Sequence, residues 1–357
     1  MSSFTGEKIS VNIFGESHGA AVGAVIEGLP AGEIIDRETL RAFVKLRAPG
    51  AAHTTPRKEA DEVKILSGTV DIDDRTFRLT GTPVALIIEN TDTRSGDYSK
   101  LENIPRPGHS DYAAHVKYAG NNDIRGGGHF SARITAATVA AGGIALQILR
   151  RRNIFVGGRI VCVGRVSRGG FAEILPAELS AALLNRAENA ATPEMVDEIK
   201  LAAAEHDSVG AVIECGIAGL PAGLGGPHFS GVESRIAAAV FGIPAVKGVE
   251  FGAGFAGSVL RGSESNDAFV IKNGKVQTET NRHGGILGGI TSGMPIIFRA
   301  AFKATPSIGK EQDSVNLSDM EPAKLTITGR HDPCVGIRAL PVVEAVAALC
   351  TLDLTIL

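Results

Sequence analysis

The sequence predicts a chain of mixed strands and helices that is not a doubly wound parallel sheet. Segments with strand character and segments with helical periodicity follow one another along the 357 residues without regular alternation. No GxGxxG sequence follows the first predicted strand, which disfavours a Rossmann fold. A hydrophobic content of 44% and a charged content of 21% are ordinary for a globular protein with a sizeable core.

The N-terminal third predicts a hairpin, a helix and further strands. Residues 9–14 form the first predicted strand, which enters a turn at residues 15–19, and the apolar segment 20–27 is its partner. Asp36 is a candidate N-cap for a helix that ends near Arg47. Residues 63–70 and 77–90 predict more strands. The hairpin places Ser17 and His18 at the rim of a sheet, although a histidine in such a turn can equally be a structural residue.

Helices and strands are also predicted in the rest of the chain. A helical pattern runs from Ser131 to Arg152, and its Gly142 and Gly143 permit close packing against a neighbour. Thr192 and Pro193 start another helix. Further helices are predicted at 232–240 and after a turn at 329–333, strands at 154–166 and 211–218, and extended glycine-rich chain at 242–257 and 281–293. The sequence GLPAG at 28–32 recurs at 219–223, a weak sign of internal duplication.

Composition excludes several classes of protein. The net charge is −3, aromatic residues make up 5% and tryptophan is absent, so a nucleic-acid surface is disfavoured. The four cysteines form no CxxC pair, and neither zinc spacing nor a disulfide framework is indicated. The N-terminus has no apolar signal core, and no uninterrupted apolar run is long enough to span a membrane. We therefore expect a cytoplasmic protein with reduced thiols.

The segment 106–133 is the most informative stretch of the chain. It combines a glycine triplet at 126–128 with cations and histidines, namely Arg106, His109, His115, Lys117, Arg125, His129 and Arg133. Glycines allow a backbone to approach a ligand closely, and a helix start favours a bound anion. The segment predicts a phosphate or carboxylate site at the start of a helix. The alternative is a solvated basic turn before an ordinary helix.

Two irregular loops carry further cations. Residues 47–61 contain Arg47, His53, Arg57 and Lys58, and residues 302–314 contain Lys303 with the hydroxyls of Thr305 and Ser307. Each loop could hold an anion, and each could equally be a solvated polar loop.

Histidines in turns suggest acid–base chemistry near this anion site. Ser17-His18, His109-Ser110-Asp111 and Arg330-His331-Asp332 each place a histidine beside acceptors or cations. No HExxH metal motif and no GxSxG nucleophile elbow is present. Phosphate chemistry with acid–base assistance is the prediction that remains.

Seven segments, in register along the whole chain, resemble the chorismate synthase family. They are GESHG (15–19), RPGHSDY (106–112), RGGG-x-x-SAR (125–133), LPAGLG-x-P (220–227), AVKGVEFG-x-GF (245–255), HGGILGGI-x-SG (283–293) and GRHDPCVGIRA-PVVEA (329–345). The resemblance implies conversion of 5-enolpyruvylshikimate 3-phosphate to chorismate by a 1,4-anti elimination of phosphate, which requires reduced FMN without net redox change. It also implies one α+β domain over residues 1–357, with two antiparallel sheets packed between outer helices, and a homotetramer.

The resemblance also implies roles for individual residues. His18 would protonate or steady the reduced flavin, His109 would act as an acid toward the departing phosphate, and Asp332 would support proton removal at flavin N5. The implied substrate-binding residues are Ser17, Arg47, Arg106, Arg133 and Arg330. The implied flavin-binding residues are His129, Phe130, Ser131, Ala245, Gly288, Lys303, Ala304, Thr305, Pro306, Ser307 and Arg330. The chain departs from the family pattern at His129 and Phe130, which stand where Arg and Ser are usual, and at His53 and Pro244.

Two other functions are compatible with these residues. The first is a flavin reductase or oxidoreductase that consumes NADPH, and the second is a non-catalytic anion-binding relative. The absence of a long insertion and of a dinucleotide fingerprint favours a monofunctional enzyme, and the presence of His18, His109 and Asp332 disfavours a non-catalytic relative.

Overall fold

The computed structural model describes residues 2–50, 59–91, 103–174, 176–272, 274–327 and 332–356. The strands formed by these residues are, in chain order, β1 Ser3–Thr5, β2 Ser10–Gly15, β3 Ala21–Glu27, β4 Ile34–Asp36, β5 Lys64–Ile65, β6 Thr69–Asp71, β7 Thr76–Leu79, β8 Val84–Glu89, β9 Phe155–Val163, β10 Val166–Ser167, β11 Ala211–Ala218, β12 Ala222–Gly225, β13 Val246–Phe251, β14 Phe269–Lys272, β15 Lys275–Thr278, β16 Ile286–Leu287, β17 Ile290–Ser292, β18 Ile296–Phe302, β19 Gln312–Asn316 and β20 Glu321–Leu325.

The α-helices of the same described ranges lie mainly around and between these strands. They are α1 Arg37–Arg47, α2 Asp111–Lys117, α3 Thr135–Arg151, α4 Pro176–Leu184, α5 Arg186–Asn189, α6 Pro193–Ala204, α7 Val232–Phe241, α8 Gly262–Ser265 and α9 Gly336–Thr355. Local sequence explains the ends of several of them. Asp36 caps α1 by accepting a hydrogen bond from the Thr39 N–H, and Thr192 caps α6 in the same way through Met195. Both predicted caps are confirmed.

Two five-stranded antiparallel sheets form the framework. The first has the order β1-β2-β3-β8-β5 and the second β10-β9-β11-β18-β13. The predicted N-terminal hairpin is β2 paired with β3, in register from Ser10 opposite Glu27 to Gly15 opposite Val22. Strands and helices are mixed and the sheets are antiparallel, which confirms the α+β class.

The expected order of layers is wrong. Instead of two sheets packed between helices, α3 and α9 pack against each other between the two sheets. Helix α3 contacts β3 and β8 of the first sheet, and α9 contacts β9 and β11 of the second. The reason lies in the helices: α9 is buried on nearly every side, and a helix that is apolar all round needs neighbours all round.

An outer helix covers the far face of the second sheet. On β9, a side chain at Gly157 would meet Leu183 of α4, whereas one at Gly158 would meet Leu340 of α9. Adjacent strand residues point to opposite faces, so this sheet lies between α4 and α9.

The two central helices pack closely at glycine. A Cβ atom added at Gly142 of α3 would lie 2.3 Å from the Ala345 Cβ of α9, and one at Gly143 would lie 2.7 Å from Leu40 of α1. This confirms the predicted packing role of the glycine pair. The helical span Ala132–Arg151 is apolar and long enough to cross a membrane, but 78% of that window is buried inside the protein. It is the core helix of this fold.

Candidate active site

A cavity of about 1230 Å³ opens where α1, α3, α7 and α9 approach the loop that follows β18. Thirteen of the residues predicted for the site line it, and they come from six separate parts of the chain. They are Arg47, Arg106, His109, His129, Phe130, Ser131, Arg133, Ala245, Lys303, Thr305, Pro306, Ser307 and Asp332. The fold therefore brings most of the predicted site residues to one place.

The glycine triplet forms a turn directly before a helix, as the sequence analysis expected. Gly126, Gly127 and Gly128 have φ angles of 61°, 85° and 52°, which is a left-handed conformation that a helix cannot contain. A single turn of 3-10 helix at Ala132–Ile134 follows the triplet and continues into α3 at Thr135, which confirms the helix predicted from Ser131. The triplet lies between His18 and His109, and the anion site predicted at this helix start stays a prediction.

His18 and Ser17 lie directly behind this turn. A Cβ atom added at Gly126 would fall 2.3 Å from Cε1 and Nδ1 of His18 and 2.7 Å from Oγ of Ser17. The Ser17 N–H donates to the Gly128 carbonyl oxygen at 3.1 Å. Both side chains are buried, and neither lines the cavity itself. The glycine backbone therefore separates His18 from the cavity by a single layer.

His109 lies on the other side of the same turn and faces the cavity. Its Nδ1 is 2.5 Å from Oδ1 of Asp111, and Gly127 packs against its Cε1 and Nε2 edge. The Asp111 carboxylate also accepts hydrogen bonds from Nε and Nη2 of Arg106, at 2.7 and 2.8 Å. Burial alone would raise the pKa of Asp111, but the donors Arg106 and His109 hold it well below its usual range. Asp111 is therefore an ionised acceptor at neutral pH.

Arg47 and Arg133 are paired with carboxylates of the protein. Asp61 accepts from Nη1 of Arg47 at 3.2 Å and from Nη1 of Arg133, and Glu59 lies 2.6 Å from the same Arg133 nitrogen. Arg133 also donates to Asn90 Oδ1 at 2.8 Å. All four charged side chains are buried. These two arginines thus face the cavity from inside a buried ion-pair network.

The surroundings of Arg47 disfavour its charged form. Burial, followed by the nearby Arg338 cation, lowers the pKa of Arg47 to about 9, and Asp61 opposes that change. Arg47 also donates to Thr135 Oγ1 at 3.1 Å and to the Ala132 carbonyl oxygen at 2.6 Å. It remains protonated at neutral pH.

The loop after β18 supplies a cation and hydroxyls. Burial, with a smaller effect from the Lys247 cation, lowers the pKa of Lys303, whose Nζ donates to the Gly108 carbonyl oxygen. Ser307 Oγ accepts from Nη1 of Arg106 at 3.1 Å. Thr305 Oγ1 is buried and finds no hydrogen-bond partner within the described part of the chain. An unsatisfied buried hydroxyl at a cavity wall indicates a ligand contact.

Asp332 enters the cavity from the segment before α9. Its Oδ2 accepts from Nη1 of Arg338 at 2.8 Å, and Arg338 Nε donates to the backbone oxygen of Arg47 at 3.0 Å. Arg338 thus connects Asp332 to the C-terminal end of α1.

His129 has a structural role in addition to lining the cavity. Its Nδ1 donates to the Gly15 carbonyl oxygen at 2.7 Å, and its Nε2 accepts from the Ser2 hydroxyl at 2.5 Å. The Phe130 ring lies 6.4 Å from that of Tyr118 and is 37% exposed. His129 thus connects the glycine turn to the N-terminal strands.

Some predicted residues are placed elsewhere or are not described. Gly288 lies in the turn between β16 and β17, and neither it nor Ala304 lines the cavity. Arg330 lies outside the described residues, as do His331, His53, Arg57 and Lys58.

Sequence reasoning missed the acidic residues that hold the cations. Asp111 is visible in the sequence only as an acceptor beside His109, and Glu59 and Asp61 only as part of an irregular loop. Asp111 could have been found from its closeness in sequence to Arg106. Asp61 could not, because it is 72 residues from Arg133. Within the described ranges no cluster of three or more His, Cys, Asp or Glu side chains is arranged to hold a metal ion.

Comparisons with known proteins identify the relatives of this chain. A model of the chorismate synthase family matches residues 9–356. The chorismate synthase of Thermococcus kodakarensis is 48% identical over 354 residues, which cover 98% of this chain and 96% of that protein. The chorismate synthase of Chitinophaga pinensis is 45% identical over 357 residues, covering 100% and 97% of the two chains. A crystal structure of chorismate synthase superimposes with a TM-score of 0.73 at 27% identity and covers 98% of this chain and 92% of that one.

The fold, the site and these relatives define an enzyme of the lyase class. The chain belongs to the chorismate synthase family. The resemblance found in the sequence is confirmed, and the two alternatives, an NADPH-consuming oxidoreductase and a non-catalytic anion-binding relative, receive no support from these relatives.

Proposed function

We propose that the cavity binds reduced FMN together with 5-enolpyruvylshikimate 3-phosphate and that its side chains carry out the elimination of phosphate. One observation carries the proposal: a single cavity of about 1230 Å³ contains His109, Asp332 and Lys303 and is bordered by the glycine turn that covers His18. A cavity with several cations, acids and bases suits a substrate that bears two carboxylates and a phosphate.

The residues present fit a flavin mononucleotide. Lys303 and Ser307 supply a cation and a hydroxyl, and the buried Thr305 hydroxyl has no partner among the residues described. Apolar side chains of Val335 and Val342 line the same cavity and would hold a flat ring system. When bound, reduced FMN supplies electron density that assists the loss of phosphate and is regained afterwards, so no net redox change results.

The chain's own residues would move the protons. His109, oriented by Asp111, would donate a proton to the departing phosphate. Asp332, held by Arg338, would support proton removal at flavin N5. His18 would hold a proton for the reduced flavin from behind Gly126. Arg47 and Arg133 would contact substrate anions from their fixed places in the ion-pair network.

An anaerobic assay tests this function directly. The protein is mixed with chemically reduced FMN and the enolpyruvyl substrate, and chorismate and inorganic phosphate are measured together. Equal amounts of the two products are expected, and no product with oxidised FMN alone. Release of phosphate without chorismate, or no release at all, would refute the proposal.

A second arm of the assay tests the source of reduced flavin. We propose a monofunctional enzyme that is supplied with reduced flavin by another protein. Product formation from oxidised FMN and NADPH, without any added reductant, would show that the chain reduces the flavin itself.

We also propose a cytoplasmic homotetramer. Large apolar side chains are strongly exposed on the single chain, including Phe229 at 97%, Phe255 at 83% and Val259 at 83%. Exposed apolar groups of this size favour burial against further copies. Analytical ultracentrifugation should give four times the mass of the 37.0 kDa chain, and a monomer would refute this part of the proposal. The extent of the core, which includes residues of both large sheets, favours the single domain predicted for residues 1–357.

A further inference from the structure

The Asp111 carboxylate is the most heavily bonded acceptor near His109. It is the first residue of α2 and is 8% exposed. Its Oδ2 accepts from the backbone N–H of Arg106 at 3.0 Å and from Nε at 2.7 Å, and its Oδ1 accepts from Nη2 at 2.8 Å. The same Oδ1 lies 2.5 Å from Nδ1 of His109. One carboxylate thus fixes both the arginine and the histidine.

These contacts determine which nitrogen of His109 carries the hydrogen. An ionised carboxylate can only accept hydrogen bonds, so Nδ1 must be the donor. The other ring nitrogen, Nε2, is then the one available for proton transfer, and it lies at the edge of the ring beside Gly127, at the cavity. Arg106 Nη2 is 3.1 Å from Nδ1 but cannot donate to a nitrogen that already bears a hydrogen.

The Asp111 carboxylate offsets cations that lie near His109. Among the described residues, the charged groups within bonding reach of His109 and its neighbour Gly108 are Arg106, Lys303 on the loop after β18, and Asp111 itself. Two of these three groups are cations, and both oppose a positive imidazolium. Without Asp111, the Arg106 and Lys303 cations would remain near His109 and the carboxylate bonded to its Nδ1 would be lost.

We propose that Asp111 is a positioning residue that fixes His109 with Nδ1 as donor and keeps its imidazolium form available, so that Nε2 delivers a proton to the leaving phosphate. The inference rests on the role proposed above for His109. The proton moves from Nε2 to the phosphate oxygen that departs with the electron pair of the C–O bond. Neutral imidazole remains, with its Nδ1–H still donated to Asp111.

The test compares Asp111→Asn with the wild-type enzyme in the anaerobic assay. Because Asn keeps the shape and removes the charge, kcat should fall by about 10²-fold with a smaller change in KM. The basic limb of the pH–rate profile should move to lower pH, because the imidazolium loses the carboxylate bonded to its Nδ1. Asp71→Asn is the matched control: Asp71 is 71% exposed, pairs only with Arg37 among the described residues, and its substitution should leave kcat unchanged.

Two further variants separate this inference from the proposed function. If Asp111 acts through His109, adding Asp111→Asn to His109→Ala should lower kcat by less than about threefold further. If His109→Ala retains full turnover, the proposed role of His109 fails. If His109→Ala is impaired but Asp111→Asn has the wild-type kcat and pH profile, Asp111 is not the positioning residue. The same conclusion follows if the fall in kcat of the double variant equals the product of the two single-variant falls.

A measurement on the unmodified protein covers the case in which Asp111→Asn does not fold. Nitrogen-15 NMR of the wild-type chain, with His109 assigned by its loss in His109→Ala, reports which ring nitrogen is protonated in the neutral form. The Nδ1–H tautomer is expected. Observation of the Nε2–H tautomer would overturn the inference.

Discussion

A methyl group at Gly126 should disable the enzyme through His18. In Gly126→Ala the new Cβ would lie 2.3 Å from Cε1 and Nδ1 of His18, whereas carbon atoms in contact are about 3.5–4.0 Å apart. The buried imidazole must therefore move by more than about 1 Å. A misplacement of that size can lower turnover by about 10²-fold. The φ of 61° adds a backbone cost of about 1–2 kcal/mol for any residue with a Cβ.

Gly32→Ala is the matched control for this variant. Gly32 has a φ of 86°, and nothing lies within 4 Å of its added Cβ, so it carries the backbone cost without the collision. Urea unfolding should show a loss of about 1–2 kcal/mol in Gly32→Ala and a larger loss in Gly126→Ala, because the collision adds to the backbone cost. Phosphate release with reduced FMN should fall only in Gly126→Ala. If the turnover of Gly126→Ala is within about twofold of that of Gly32→Ala, the position of the His18 ring does not affect turnover.

Three further outcomes follow from the described contacts. His18→Ala and His109→Ala should each lower phosphate release by about 10²–10⁴-fold while circular dichroism stays unchanged, and wild-type turnover in both would remove them from the mechanism. Asp61→Asn should lose about 3 kcal/mol of unfolding free energy in urea, because it removes the buried carboxylate that pairs with Arg47 and leaves Arg133 with Glu59 alone; a loss below about 1 kcal/mol would contradict the network. Asp36→Ala should lower the free energy of unfolding by about 1 kcal/mol at neutral pH, because the α1 cap is lost. The Thr39 N–H and Arg75 lower the pKa of Asp36 to about 2, below its unfolded value near 4. Its contribution is therefore complete above pH 4 and disappears as pH falls toward 2, and a difference between wild type and Asp36→Ala that persists at pH 2 would refute this assignment.

Features that depend on neighbouring residues were predictable from sequence. The caps at Asp36 and Thr192 use contacts three residues away, and the β2–β3 hairpin joins adjacent segments. The glycine pair in α3 signalled close packing because only glycine allows it. These predictions needed no knowledge of distant contacts.

The order of layers and the partners of the arginines were not predictable in the same way. Helical periodicity shows that α9 is apolar, but it does not say which sheets cover it. Arg47, Arg133 and Asp61 meet only because the fold brings together α1, the turn before α3 and the segment before β5.

The pairing of Arg47 and Arg133 with Glu59 and Asp61 reduces the long-range attraction that these arginines exert on an anion. Two of its arginines bring almost no net charge, because each positive group is offset by a buried carboxylate. The attraction that these two arginines exert on an anion beyond the Debye length of about 10 Å is therefore weak. They distinguish ligands by short, directional contacts after the ligand has entered the cavity.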